Sequence, residues 1–269
     1  MSWRLVARQG VRESWRNWEL PGTIIAFALI FGLIGYWTGP AALGSGNDGS
    51  ALFGLLAGTM LVLVPATAVT IAHDDVAGRR EDGRLRLLLG QPISRRSIVL
   101  GQYLATVVTI VSAVLVAVST GLFIASVRAG ELAPPEMAAT LVGAGVLMGL
   151  SYLGIGIAIS TALKTTNFSG TLAFAAFLGF TFVWQVLPRS LLWVVDRFVD
   201  VPSNPWWLVY VDTMSPVLAT GRLIAPGTSY EALAGTDDVT VTAFAGVVLC
   251  WWIVVLPMLA LMRFERTDL

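Results

Sequence analysis

Residues 98–127 read IVLGQYLATVVTIVSAVLVAVSTGLFIASV, thirty positions without an Asp, Glu, Lys, Arg or His. As a helix rising about 1.5 Å per residue, this run reaches well beyond the roughly 30 Å of hydrocarbon in a bilayer. Working outward, five more runs share its character: 22–38, 51–72, 137–163, 168–187 and 239–262. None holds an Asp, Glu, Lys, Arg or His, and each is long enough to cross. The whole chain agrees: of 269 residues 56% are hydrophobic and 13% charged, with mean hydropathy +0.76, whereas soluble domains carry about 25% charge. These features predict an all-α integral membrane protein of six transmembrane helices, one membrane domain over 1–269. Pro65 in the second run and Pro257 in the sixth predict kinks.

Before the first run, residues 2–18 predict an amphipathic helix. Arg4, Arg8, Arg12 and Arg16 make one row, and Trp3, Ala7, Val11, Trp15 and Trp18 another. Basic residues beside tryptophans suit a helix lying in the membrane interface, and Pro21 is expected to end it. This N-terminus does not read as a cleavable signal peptide. Cys250 is the single cysteine, so no disulfide framework and no thiolate metal site are expected.

After the second run the sequence turns sharply charged. GRREDGRLRLLLGQPISRR (78–96) holds six Arg and two acidic residues in nineteen positions. Inside it Leu85, Leu87, Leu88 and Leu89 form an apolar ridge between Gly83 and Gly90, and Pro92 forbids continuation. About two turns of helix fit there, too few to span. A short helix, part charged and part leucine-lined, suits docking of a soluble partner; a loop that only fixes topology fits the charge equally well.

Placing the N-terminus inside puts Arg4, Arg8, Arg12, Arg16, the six Arg of 79–96, Lys164, Arg263 and Arg266 on the inner side, thirteen basic residues. Arg128, Arg189, Arg197 and Arg222, four, fall on the outer side. Thirteen against four sets both termini in the cytoplasm. The outer loop 188–238 contains two half-apolar patches, 191–199 and 206–225. Asp212, Pro216 and Arg222 argue against a seventh span in the second. Both patches read as interfacial or re-entrant helices, with Trp193, Trp206, Trp207 and Tyr210 at headgroup level.

Several chemistries are excluded by what the spans lack. An ion-coupled carrier or an intramembrane protease needs ionisable or nucleophilic groups at membrane depth. The only histidine, His73, lies at the end of the second run, and His73-Asp74-Asp75 reads as a hydrated helix end; no metal site is expected. GLLAG (Gly54, Gly58) and GVLMG (Gly145, Gly149) place small residues four apart, which permits close helix packing within one subunit or between two. Nothing matches GxxxxGK[ST], so no nucleotide site is expected on this chain.

The arrangement resembles the permease subunit of ABC-2 type transporters. The resemblance is carried by the amphipathic N-terminal helix, six spans, the charged loop after span two, and an outer Ser215-Pro216 step before span six. In REDGRLRLLLGQPISRRSIVLGQYL (80–104) the family's E-x-G-x-L-x-x-L-L-x-x-P-x-x-R falls on Glu81, Gly83, Leu85, Leu88, Leu89, Pro92 and Arg95, followed by Gly101 and Tyr103. The Gln91-Pro92 step is similar to permeases linked to maturation of the copper site of nitrous oxide reductase. The resemblance implies that this loop carries a coupling helix docking on a separate ABC ATPase subunit. ATP and Mg would then be bound by that partner, and this chain would bind no cofactor and no nucleic acid. It further implies a plasma-membrane exporter paired with a second permease subunit. Glu81, Arg84, Arg86 and Arg95 would supply rim charge, while Leu85, Leu87, Leu88 and Leu89 split between the partner's groove and the membrane domain. An interior without ionisable groups suits lipid-like, hydrophobic or large amphipathic cargo. The competing reading is a non-transporting scaffold that anchors a soluble partner.

Overall fold

The computed structural model describes residues 3–44, 49–81, 95–163, 165–199, 202, 205–224 and 238–266. Among them there is no strand. The helices run α1 (Trp3–Arg16), α2 (Glu19–Leu43), α3 (Ser50–Glu81), α4 (Arg95–Ala129), α5 (Pro135–Ala162), α6 (Thr166–Leu178), α7 (Leu187–Asp196), α8 (Leu208–Thr213), α9 (Pro216–Ile224), α10 (Val239–Cys250) and α11 (Leu256–Arg266). A π-helical turn, Gly179–Val183, continues α6, and a second, Trp251–Val255, joins α10 to α11. Among the described residues, six segments are long and apolar enough to cross a membrane: Glu19–Leu43, Ser50–His73, Val99–Ala129, Pro135–Ala162, Thr166–Val183 and Val239–Arg263. They are the six runs of the sequence, with ends shifted by a few residues.

The entry to the bundle differs from the expectation placed on Pro21. The break falls at Trp18, whose φ of 61° puts it in the left-handed region. Ser14 Oγ donates to Glu19 Oε2 across the corner at 2.8 Å. Pro21 sits within the first turn of α2, where a helix requires no backbone donor and a fixed φ near −65° helps. At the far end of α4 the reversal is made by Gly130, φ +73°, and by Pro135 at the first turn of α5. Pro65 lies inside the unbroken α3.

Surrounded by lipid, a leucine gains little by moving from acyl chains to the protein interior, so close packing sets the arrangement. The tightest seam joins α2 to α4. Gly32, Gly35 and Gly39 face Gly121, Ile124 and Ala125, and a Cβ built on Gly35 would overlap the Gly121 carbonyl oxygen. One on Gly39 would stand 2.6 Å from Ala125 Cα. Behind this seam α5, the most enclosed span, packs Met137, Leu141, Tyr152 and Leu153 against Leu56, Met60, Val64 and Ile110. Gly145 and Gly149 admit that contact: a Cβ there would lie 2.7 Å from Met60 Sδ and 2.5 Å from Ile110 Cγ2, respectively. Among the described residues, nothing lies within 4 Å of a Cβ built on Gly54 or Gly58.

Candidate functional site, a helical hairpin seated on two π turns

The π turns of the last two spans lie side by side, with the Phe180 and Trp252 rings 5.1 Å apart and edge to face. Each is closed by a five-residue hydrogen bond, Trp184 N to Gly179 O and Leu256 N to Trp251 O. Widening a helix turn frees carbonyls from the α-helical ladder, and those carbonyls are met by side chains. Ser215 Oγ donates to Phe180 O at 2.9 Å, and Gln185 Nε2 donates to Thr181 O at 2.7 Å. The Thr181 hydroxyl pairs with that of Tyr152 at 2.7 Å, both fully buried. In the other turn, Pro257 cannot donate back to the carbonyl four residues earlier. That carbonyl, Ile253 O, accepts from the Tyr103 hydroxyl at 3.0 Å.

On this pair of turns sits a hairpin of α8 and α9. Its reversal at Met214-Ser215 is held by Ser215 on Phe180 and by Trp252 Nε1 donating to Met214 O at 3.1 Å. Trp184 Nε1 donates to Val211 O at 3.0 Å. Trp252 lies about 20 Å along the last span from Val239 at 1.5 Å per residue. The hairpin therefore enters the bundle and turns back. Ala219 packs with Ala245, Val248 and Leu249, and Leu223 faces Gly246. Two short helices replace the continuous run 206–225, and neither is long enough to span.

Charge is buried inside this hairpin. Asp212 and Arg222 are 4% and 7% exposed. Arg222 donates to Val209 O at 2.6 Å and to Thr213 Oγ1. Arg189, at the solvent side, reaches Asp212 Oδ2 at 3.6 Å, while Asp212 Oδ1 is buried without a hydrogen-bond partner. Burial pushes the Asp212 carboxyl above its ordinary range, against the opposing pull of Arg189 and Arg222. Burial likewise lowers the Arg222 guanidinium, with Asp212 acting in the other direction.

The remaining sequence-predicted residues fall in three places. Gly83, Arg84, Leu85, Arg86, Leu87, Leu88, Leu89 and Pro92 lie outside the described residues, as do the side chains of Glu81 and Arg95. Trp3, Trp15 and Trp18 are exposed at one end of the bundle, and Trp206 and Trp207 at the other. His73 is more than a hydrated helix end: its ring abuts Gly170 and its carbonyl accepts from Ser160 Oγ and Ser169 Oγ at 2.8 and 3.1 Å, tying α3 to α5 and α6. The hydrogen-bonding roles of Tyr103, Tyr152 and Ser215 and the joint burial of Asp212 and Arg222 were missed from sequence. Pro257 alone signalled that the carbonyl of residue 253 needs a donor.

The family described as ABC-2 family transporter protein matches residues 5–269. The chain belongs to that family. Two curated relatives, each named Probable ABC transporter permease protein NosY, are 26% identical to it. One, from Pseudomonas aeruginosa, aligns over 217 residues and 76% of each chain. The other, from Stutzerimonas stutzeri, aligns over 271 residues and 97% of each chain. This ABC-2 permease is thus a membrane subunit of an ABC transporter, and its family implies an ABC ATPase partner. The hairpin on its π turns is the part of the permease whose polar contacts bridge the fifth and sixth spans.

Proposed function

We propose that this permease exports an apolar or amphipathic cargo, driven by a separate ATPase that docks on residues 79–96 and working as a dimer in the plasma membrane. The observation that carries this reading is the sharing of one end of the bundle. The Val6–Gly101 contact sets α1 beside the start of α4. Leu261 and Met262 line a groove with Val99 and Leu100, which brings the end of α11 to the same level. Ser160 beside His73 brings the end of α5 there too. The start of α1, the ends of α3, α5 and α11 and the start of α4 therefore share one end of the bundle, and the sequence assigns thirteen of its seventeen basic residues to the side of these termini, which the positive-inside rule reads as cytoplasmic. ATP binding would press on 84–90, and the spans would carry the movement to the hairpin at the outer end. The groove, about 550 Å³ and bounded also by Ile157, Val254, Pro257 and Met258, supports a lipid-like cargo. Its Tyr103 hydroxyl is already engaged by Ile253.

Purification of the tagged permease from its own host in mild detergent, with mass spectrometry, is expected to recover a stoichiometric P-loop chain. Leu88→Asp should insert normally and lose that chain, since removing a buried apolar anchor costs about 2 kcal/mol or more at an interface. Full recovery of the ATPase by inserted Leu88→Asp would reject this docking site. Orientation is tested separately, because Cys250 is the only native thiol. A cysteine at Ser50 should react with an impermeant reagent added outside, and one at Ser97 should not; the opposite pattern inverts the topology.

A further inference from the structure

We propose that α1 is a receptor for anionic phospholipid headgroups. The inference rests on the embedding of this permease in a bilayer and is independent of cargo, direction and ATPase coupling. The sequence shows a basic row and a tryptophan row, and the structure adds that neither is the packing face. A third row, Val6, Gly10 and Ser14, turns to the protein. A Cβ on Gly10 would stand 2.8 Å from Ala105 Cβ, and one on Gly101 would stand 2.6 Å from Val6 Cβ. With that face consumed by α4, the arginine row and the tryptophans of the other row remain available, while Ala7 and Val11 are half-buried. Arg4, Arg8, Arg12 and Arg16 are exposed, as are Trp3, Trp15 and Trp18.

The depth at which α1 is held identifies the occupant. Its contacts on α4 run from Gly101 to Ala105, and the apolar span starts at Val99. Two to six residues at 1.5 Å place the helix about 3–9 Å inside the end of the span. Interfacial helices sit about 5–10 Å into the boundary between headgroups and acyl chains. At that level the exposed tryptophans meet the carbonyl region and the arginines meet phosphates. Arg12 and Arg16 also border a hollow of about 350 Å³ shared with Gln9, Glu13 and Asn17, a polar recess at headgroup height. Four arginines against Glu13 leave the helix strongly cationic, so charge complementarity selects anionic over zwitterionic lipid. An acidic soluble protein would have to reach a helix sunk among headgroups, which disfavours it as the occupant.

The test is native mass spectrometry of the intact permease in mild detergent, titrated with phosphatidylglycerol and, separately, phosphatidylcholine of the same chains. The wild type should retain phosphatidylglycerol preferentially, and raising the salt should erode that preference. Each arginine near a charged surface contributes about fivefold. Arg8→Gln/Arg12→Gln/Arg16→Gln should therefore lose at least about tenfold in preference. The matching Lys triple and Arg128→Gln, at the opposite end of α4, should keep it. Because the three arginines are exposed, the Gln triple is expected to fold, which its melting temperature checks. An unchanged preference in the Gln triple, or a wild-type preference indifferent to salt, overturns the proposal. So does its loss in the Lys triple.

Discussion

Gly35→Ala is expected to lower the melting temperature of the purified protein by roughly 2–12 °C, as overpacking costing about 1–3 kcal/mol would in a chain of this size. The added methyl has no flexible side chain to displace. It meets the Gly121 carbonyl, with Ala125 N 3.2 Å away, so two helix backbones must separate. Gly39→Ala meets Ala125 backbone in the same seam, and the double variant should lose less than the sum of the singles, because one separation serves both. Gly54→Ala and Gly58→Ala supply the contrast. A Cβ there finds open space, and alanine is the better helix former by up to about 1 kcal/mol. Both should therefore hold or raise the melting temperature. Equal stability of Gly35→Ala and Gly54→Ala would mean that α2 and α4 do not meet at backbone contact. Loss at Gly54 confined to the assembled transporter would locate a second subunit on that face of α3.

These glycines also show what could be read in the chain and what could not. Spans were legible because the criterion is one-dimensional: a run of apolar residues long enough for hydrocarbon, with no Asp, Glu, Lys, Arg or His. The row of α1 that packs, Val6, Gly10 and Ser14, was not, because arginine and tryptophan periodicity dominates the helix and the packing row is small and mixed. Spacing alone gives Gly54 and Gly58 the same standing as Gly145 and Gly149, and only the neighbours separate them. The GxxG step of Gly32 and Gly35 followed by Gly39 was present in the sequence, and it carries the seam. The π turns left a partial trace in Pro257, whereas Gly179–Val183 has no proline, and the partner of its Phe180 carbonyl, Ser215, is supplied by the hairpin. Asp212 and Arg222 were correctly read as unfit for a lipid-facing span. Their mutual burial is a tertiary fact, since ten residues and a reversal separate them.

Arg222→Leu is expected to cost about 3–5 kcal/mol, because it leaves Asp212 as a buried carboxylate with only exposed Arg189 nearby. Arg189→Gln should be nearly silent by comparison, as a solvent-exposed partner at 3.6 Å contributes little. The pH dependence separates charge from packing. The carboxyl of Asp212 already titrates above its ordinary value, so its contribution to stability is full below the unfolded value and fades as pH rises through the folded one. Removing Arg222 withdraws one of the two cations that restrain this rise and moves the folded value further up. The Arg222→Leu defect should therefore be largest at neutral and alkaline pH and shrink on acidification, once Asp212 binds a proton. Asp212→Asn in the same background should recover most of the loss at neutral pH. Thermal unfolding across pH in detergent measures both. A defect that is the same at every pH, and that Asp212→Asn does not relieve, would assign the loss to the hydrogen bonds Arg222 makes to Val209 O and Thr213 Oγ1. Arg222 would then fasten α9 to α8 as a donor, with its charge incidental.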